Sequence, residues 1–388
     1  MDAARKPGAG PLAGLRVLEF QGSGPGPFAG MLLADLGADV LLVDRPGPAG
    51  MGKYGPRKYE TMMRGKRSIA LDLKDPQAVQ TALQLVDKAD ALIDVFRPGV
   101  MERLGLGPDV CLARNPKLIY GRMTGWGQDG PRAAEAGHDV NYVAVSGVLG
   151  AIGGRAAPPA IPLNLVGDMG GGGLLLAFGI VCALLEVKSS GRGQVIDAAM
   201  VEGASLLGTL FAGMLAAGRW RDERGVNHLD GAAPWYTTYE TLDGQAIAVG
   251  ANEEPFYAEL LRRLQLDAAE LPPRQDRARW PALRERIAAV FKTRTRAQWC
   301  EAFAGSDACV SPVWSFGEAR ADPQSVARRS FVEIAGIAQP APAPRFSRTA
   351  AGVPSAPPGR GQGAREALVD WGFDPETAAR LTAPAAEG

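Results

Sequence analysis

The chain of 388 residues holds only two histidines, and one sits in Gly137-His138-Asp139-Val140-Asn141-Tyr142. Thirty residues further on comes Asn164-Leu165-Val166-Gly167-Asp168, followed by the run Gly170-Gly171-Gly172-Gly173. An imidazole and a carboxylate, each beside glycine, are the residue types that could act as two bases on one substrate carbon. Imidazole suits proton transfer because its reference pKa is about 6.5. Taken alone, His138 reads as a structural or turn histidine. Asp168 reads as the N-cap of the helix that follows. An acid at a helix start reached through glycines also sits among bare backbone N–H groups, which stabilise an oxyanion. The positive helix end favours negative charge there.

Other side chains invite a ligand. Arg45, in Asp44-Arg45-Pro46, and Arg97, in Arg97-Pro98-Gly99, each follow an expected strand end. Arg64-Gly65-Lys66-Arg67 precedes another strand. Together they are candidates for a phosphate seat, since guanidinium binds phosphate bidentately. Glu253-Glu254-Pro255 reads as a helix start, or as an acid reaching a site across a boundary. His228 reads as a structural or surface residue. Met169, Met200 and Met214 are core residues or an adaptable pocket wall.

These residues need a scaffold. Leu15–Phe20 reads as a buried strand that runs into Gly22-Ser23-Gly24-Pro25-Gly26-Pro27. That loop lacks the GxGxxG spacing of a dinucleotide site, and its prolines remove N–H donors. A helix is expected over Pro27–Leu36 and a strand over Ala38–Val43. Further strands are expected over Ser68–Leu73, Ala91–Val95 and Lys117–Arg122, with a helix over Pro76–Lys88. This alternation predicts an α/β doubly wound parallel sheet. Leu174–Leu185 and Met200–Ala217 read as apolar helices, with a short strand over Gln194–Asp197 between them. Trp235–Tyr239 and Gln245–Val249 read as a hairpin closed at Asp243-Gly244. Two or three amphipathic helices are expected between Pro255 and Ala304, an extended segment over Gln339–Gly363 and a last helix near Arg365–Trp371. The expected division is a large domain over 1–224, a small α+β domain over 225–330 and a C-terminal strap over 331–388.

Composition narrows the class. The 42 basic and 42 acidic residues cancel, which argues against general nucleic-acid or membrane binding. The cysteines 111, 182, 300 and 309 form no CxxC pair, so they read as reduced thiols, not a zinc site. Met1–Pro11 lacks an apolar signal region, Gly173–Val187 reads as too short and too flanked by charge to span a bilayer, and Ala383–Gly388 ends in no peroxisomal tripeptide. The expected location is cytoplasmic. Abundant Ala, Gly and Arg resemble bacterial, GC-rich composition.

Several stretches together carry a resemblance: Gly14–Glu19, Gly24-Pro25-Gly26-Pro27, Ala34–Val40, Asp44-Arg45-Pro46, Arg97–Val100, Ala136–Asp139, Pro162–Leu165, Gly193–Asp197, Met200–Gly203, Leu229-Asp230-Gly231, Gly250-Ala251 and Asp307–Val310. In this order the chain resembles the α-methylacyl-CoA racemases of the family III (formyl-CoA transferase-like) CoA-transferase superfamily, over residues 11 to 350. The resemblance implies a Rossmann-like large domain, a smaller α+β domain and an interlocked homodimer. It implies that His138 and Asp168 are the catalytic bases, that Asp139 and Asn164 support them, and that Glu253 of a partner subunit hydrogen-bonds His138. It implies that Arg45, Ala70, Leu71, Asp72, Leu73 and Arg97 hold the CoA nucleotide. Gly137, Val140, Asn141 and Tyr142 complete the expected substrate-binding set. Two departures stand out: Gln21 replaces a small residue before the glycine loop, and the neighbours of Glu253 differ from the family's.

The implied reaction is racemisation of a 2-methylacyl-CoA thioester through an enolate, one base on each face. No cofactor or metal is expected, because CoA arrives with the substrate. Two rivals remain. A CoA-transferase would use Asp168 as nucleophile, with no evident need for His138. A noncatalytic acyl-CoA binding protein would need the arginines but neither base.

Overall fold

The structure, a computed structural model, describes residues 10–53 and 55–382. The signal-region reading at Met1–Pro11, except for its last two residues, and the terminal tripeptide lie outside them. The chain forms two compact units. The first takes residues up to Ser146, then Leu163–Leu207, then Val326 onward. The second takes Gly147–Pro162 and Gly208–Ser325.

Six parallel strands organise the first unit: β1 Arg16–Phe20, β2 Asp39–Asp44, β3 Arg67–Ala70, β4 Ala91–Asp94, β5 Ile119–Thr124 and β6 Gln194–Ala199. Their order is β3-β2-β1-β4-β5-β6. This is the doubly wound sheet expected from the alternation of elements, and its order reverses between β1 and β4. Every residue of β2 is buried, as both faces are covered. The two-residue period splits the strands between two cores. Leu18, Leu41 and Leu92 face one core, whereas Val17, Val40 and Ile93 face the other.

Helices α1 Pro25–Asp35, α2 Pro76–Val86, α3 Asp139–Val145, α4 Leu175–Ser190 and α5 Met200–Leu207 belong to this unit. A π-helical segment, Leu165–Leu174, leads into α4. The helical run Leu165–Ser190 is therefore longer than the expected apolar stretch. By length and composition it could cross a membrane, and 44% of its most apolar window is buried.

The helix expected over Met200–Ala217 is two helices. Helix α5 ends at Leu207, Gly208 intervenes, and α6 Thr209–Ala216 belongs to the second unit. Glycine inside a helix costs about 1 kcal/mol relative to alanine, so a break there is inexpensive. The second unit also holds β7 Tyr236–Glu240, β8 Ala246–Gly250 and β9 Val310–Pro312, an antiparallel sheet in the order β9-β8-β7. The expected hairpin is β7–β8. Helices α7 Glu254–Leu264, α8 Trp280–Phe291 and α9 Arg296–Phe303 pack with it around Trp235, Tyr257, Phe291 and Trp299. The last segment includes α10 Ala364–Asp370, whose Ala367 and Leu368 enter the same core as Leu18.

Candidate active site

A cavity of about 680 Å³ opens in the first unit at the carboxyl ends of β1, β4 and β5. Open α/β sheets bind ligands at such a point of strand-order reversal, and this volume suits a small-molecule ligand. The loop after β1 lines it through Gln21, Gly22, Ser23 and Gly24, and the loop after β4 through Val95, Phe96, Arg97 and Pro98. His138, Asn164 and Asp168 line it as well. The structure thus brings the rare imidazole and the carboxylate to one cavity.

Each group is held from its own element. His138 is the N-cap residue of α3, and its backbone N–H donates to Asn141 Oδ1 at 3.0 Å. His138 lines the cavity from this position. Asp168 is not an N-cap. It lies within the first turn of the π-helical segment, which starts three residues earlier at Leu165. Asn164 Nδ2 donates to Asp168 Oδ2 at 3.1 Å. The Asp168 backbone N–H donates to Asp139 Oδ1 at 2.7 Å, and Asp139 is buried. Burial raises the Asp168 carboxyl above the usual carboxylate range. Asn164 and His138 draw it down, and Asp139 adds to the rise. A carboxyl whose proton affinity is raised in this way is better suited to donate as well as accept a proton.

Glycine permits this arrangement at two places. Gly24 has φ +71°, and a Cβ there would lie 2.9 Å from Asp168 Oδ2. The loop after β1 is therefore a seat for the carboxylate side chain. The run Gly171–Gly173 serves packing. A Cβ on Gly171 would meet Ala204 N at 2.6 Å, and one on Gly173 would meet Pro25 O at 2.5 Å. The expected supply of free N–H donors at Asp168 is not present: its own N–H goes to Asp139, and that of Met169 goes to Asn164 O.

The basic residues separate into two kinds. Arg64 pairs with Asp35 at 2.6 Å, Lys66 with Glu19 at 2.6 Å, and Arg67 with Asp39 and Asp370. All three cations are buried, so this cluster braces the sheet and is not a phosphate seat. Removing one partner of such a pair costs about 3–5 kcal/mol. Arg97 is exposed and lines the cavity. It also faces Tyr142, whose hydroxyl is pushed up by burial and by Asp168 and drawn down by Arg97. Arg45 is exposed at the end of β2, its backbone N–H bonded to Gln21 Oε1 at 3.1 Å. Ala70 closes β3, Leu71 is buried, Asp72 is exposed and Leu73 packs on the core. Arg45 and Ala70–Leu73 are at the sheet's carboxyl edge but are not among the cavity-lining residues. Gly137 and Tyr142 line the cavity; Val140 and Asn141 occupy the first turn of α3 beside it.

Glu253 belongs to the second unit, where it precedes α7. Of the three methionines singled out, Met200 lines the cavity, joined by Met62, Met63 and Met123. Trp126 lines it too, edge-on to Tyr142 at 4.7 Å between ring centroids. No spacing marks these added residues in the sequence, because two separate segments, residues 62–63 and 123–126, deliver them. Among the described residues no cluster of three or more His, Cys, Asp or Glu side chains could hold a metal ion.

The pattern of CoA-transferase family III matches residues 12–364. Alpha-methylacyl-CoA racemase of Mus musculus is 48% identical over 373 residues, 95% of this chain and 96% of that protein. Alpha-methylacyl-CoA racemase of Homo sapiens is 44% identical over 94% of each chain. A CAIB/BAIF family protein from Brucella suis has a similar solved structure, with a TM-score of 0.81 and 26% identity over 94% of this chain and all of that one.

Proposed function

Because the chain belongs to CoA-transferase family III, we propose that it is an isomerase that racemises 2-methylacyl-CoA thioesters. The carrying observation is that His138 and Asp168 line one cavity. The identity to two racemases over nearly the whole chain supports the same reading.

The thioester carbonyl acidifies the hydrogen at C2. One base removes it, giving a planar enolate, and the other protonates the opposite face. His138 and Asp168 exchange these roles between the two enantiomers. The carboxyl raised by burial fits this double duty. Asp139 and Asn164 hold the Asp168 turn and its side chain. Arg97 and Arg45 attract the CoA phosphates, with Ala70–Leu73 as the edge against which the nucleotide lies. CoA comes and goes with the substrate, so the reaction asks for no resident cofactor.

A second copy of the chain completes the assembly. Leu165, Leu174, Phe178, Leu185, Leu206 and Leu207 are all more than half exposed in the first unit. An apolar face of this size marks an interaction site. We assign it to a homodimer and not to lipid, because the long helical run also carries Asp168, Glu186 and Lys188, which a bilayer would penalise. Glu253 of the second copy then reaches the imidazole of His138 and fixes its tautomer. The unpaired cysteines fit a reducing compartment, and we place the enzyme in the cytoplasm.

One incubation tests the reaction. A single enantiomer of a 2-methylacyl-CoA in D₂O, without acceptor acid, should gain deuterium at C2 and lose optical activity. CoA transfer to an added acid without exchange would replace this reading with the transferase. Inertness in both assays would leave only binding.

A further inference from the structure

Two adjacent acids, Glu253 and Glu254, stand at the start of α7, and only one of them is left available. We infer that Arg274 makes this choice and is the positioning residue for Glu253; the inference rests on the role given to Glu253 above.

The geometry is confined to the second unit. Arg274 Nη1 donates to Glu254 Oε2 at 2.9 Å. Its Nη2 donates to Asn252 O at 2.7 Å and to Ala251 O at 3.3 Å. One guanidinium therefore binds the residues on both sides of Glu253 and leaves Glu253 itself alone. Among the described residues no hydrogen bond or ion pair holds the Glu253 carboxylate. Although Glu253 occupies the N-cap position of α7, its side chain does not cap the helix. Its backbone is extended, with φ −79° and ψ 150°, and its C=O accepts the N–H of Tyr257 at 3.0 Å. The carboxylate is exposed on a turn whose backbone is fixed from both ends.

Arg274 is itself immobilised. Its guanidinium sits in the corner formed by two edge-on rings, 4.3 Å from the Trp235 centroid and 4.2 Å from that of Tyr257. Both rings belong to the buried aromatic core of the unit. The Arg274 C=O accepts the indole N–H of Trp280 at 2.8 Å. A planar cation packed into the corner of two rings has little freedom, so its donors keep their direction. A surface ion pair to Glu254 alone would not need such a seat. The seat is explained by the two carbonyls that Arg274 fixes beside Glu253.

The test uses the full-length protein and compares E253Q, R274M, R274K and E253Q/R274M in kcat, KM and pH profile. R274M should lower kcat by about 10-fold to 100-fold, the scale of a misplacement near 1 Å. KM should stay within about twofold, since substrate contacts are untouched. R274M should displace the same limb of the pH profile, in the same direction, as E253Q. In R274K a single nitrogen keeps the cation in the corner of the rings but reaches fewer of the three acceptors, so kcat should fall between the wild type and R274M. This variant serves if R274M does not fold. The double variant should be no slower than E253Q, because both changes remove one function. Multiplied losses in the double variant, with a wild-type pH profile in R274K, would reduce Arg274 to a structural brace. A wild-type kcat and pH profile in E253Q would instead overturn the role of Glu253, and the inference with it.

Discussion

Asp139 and Asp168 are joined by one hydrogen bond, from the backbone N–H of Asp168 to Asp139 Oδ1 at 2.7 Å. Asp139 directly follows His138, so this bond ties the turn that carries the imidazole to the turn that carries the carboxylate. The spacing of His138 and Asp168 is thereby set inside the protein and does not wait for substrate. Pre-set geometry of this kind is worth several orders of magnitude in rate.

The proposed two-base mechanism predicts that losing one base should not stop chemistry on the other face. D168A should still exchange the C2 hydrogen of the enantiomer that His138 deprotonates, with retention of configuration. H138A should do so for the opposite enantiomer. Racemisation should fall by about 10²–10⁴-fold in each. NMR of C2 deuteration together with chiral analysis reads both quantities. Full racemisation by either variant would remove that residue from the mechanism.

Asn164 donates to the Asp168 carboxylate and so favours its charged form. In N164A that help is gone, and the carboxyl of Asp168 rises further. For the enantiomer that Asp168 deprotonates, the acid limb of kcat/KM should move to higher pH. For the other enantiomer, Asp168 acts as the acid and the limb should not move that way. An equal loss at every pH for both enantiomers would make Asn164 a packing residue only.

Much of this was legible in sequence because it depends on local pattern. The apolar runs of β1 and β2, the Pro-rich start of α1 and the Asp243-Gly244 hairpin all carry their signal within a few residues. The pairing of His138 with Asp168 needed the family resemblance, since nothing local joins positions 30 apart. The reading of Arg64, Lys66 and Arg67 as a phosphate seat failed because their partners Asp35, Glu19, Asp39 and Asp370 come from other elements. Charge in a sequence does not show whether a side chain is buried. The π-helical entry to α4 was likewise hidden. The four glycines read as a source of bare backbone N–H groups, whereas here they let the π-helical segment approach α1 and α5 closely.

That close approach gives a stability prediction. A methyl group on Gly171 would press on the backbone of Gly203 and Ala204, which cannot rotate away as a side chain can. G171A should lose about 1–3 kcal/mol, the usual cost of overpacking. Urea unfolding should show a lower midpoint with an unchanged slope. A wild-type midpoint would mean that α5 shifts freely against the π-helical segment.

Asp94 offers a pH test of stability. Its side chain is 1% exposed, and burial chiefly pushes its carboxyl up to about 6. Between the unfolded value of about 3.9 and that value, the folded state binds more protons than the unfolded state. The stability linked to this proton is complete below pH 4 and is lost as the pH rises through 6, up to about 3 kcal/mol. D94N cannot titrate there. Its unfolding free energy relative to wild type should therefore improve steadily from pH 4 to pH 7. A constant difference across that range would refute the buried-acid account.

The C-terminal return to the sheet also orders events during synthesis. Trp371 is fully buried and donates its indole N–H to Asp39 at 2.7 Å, while Asp370 pairs with Arg67. Strands β2 and β3 leave the ribosome some 300 residues before these partners exist. The second unit has all of its residues translated earlier, by Ser325. The unit that carries His138 and Asp168 is therefore the last to close, and an interrupted chain would present an unfinished sheet edge to chaperones in place of a half-active enzyme.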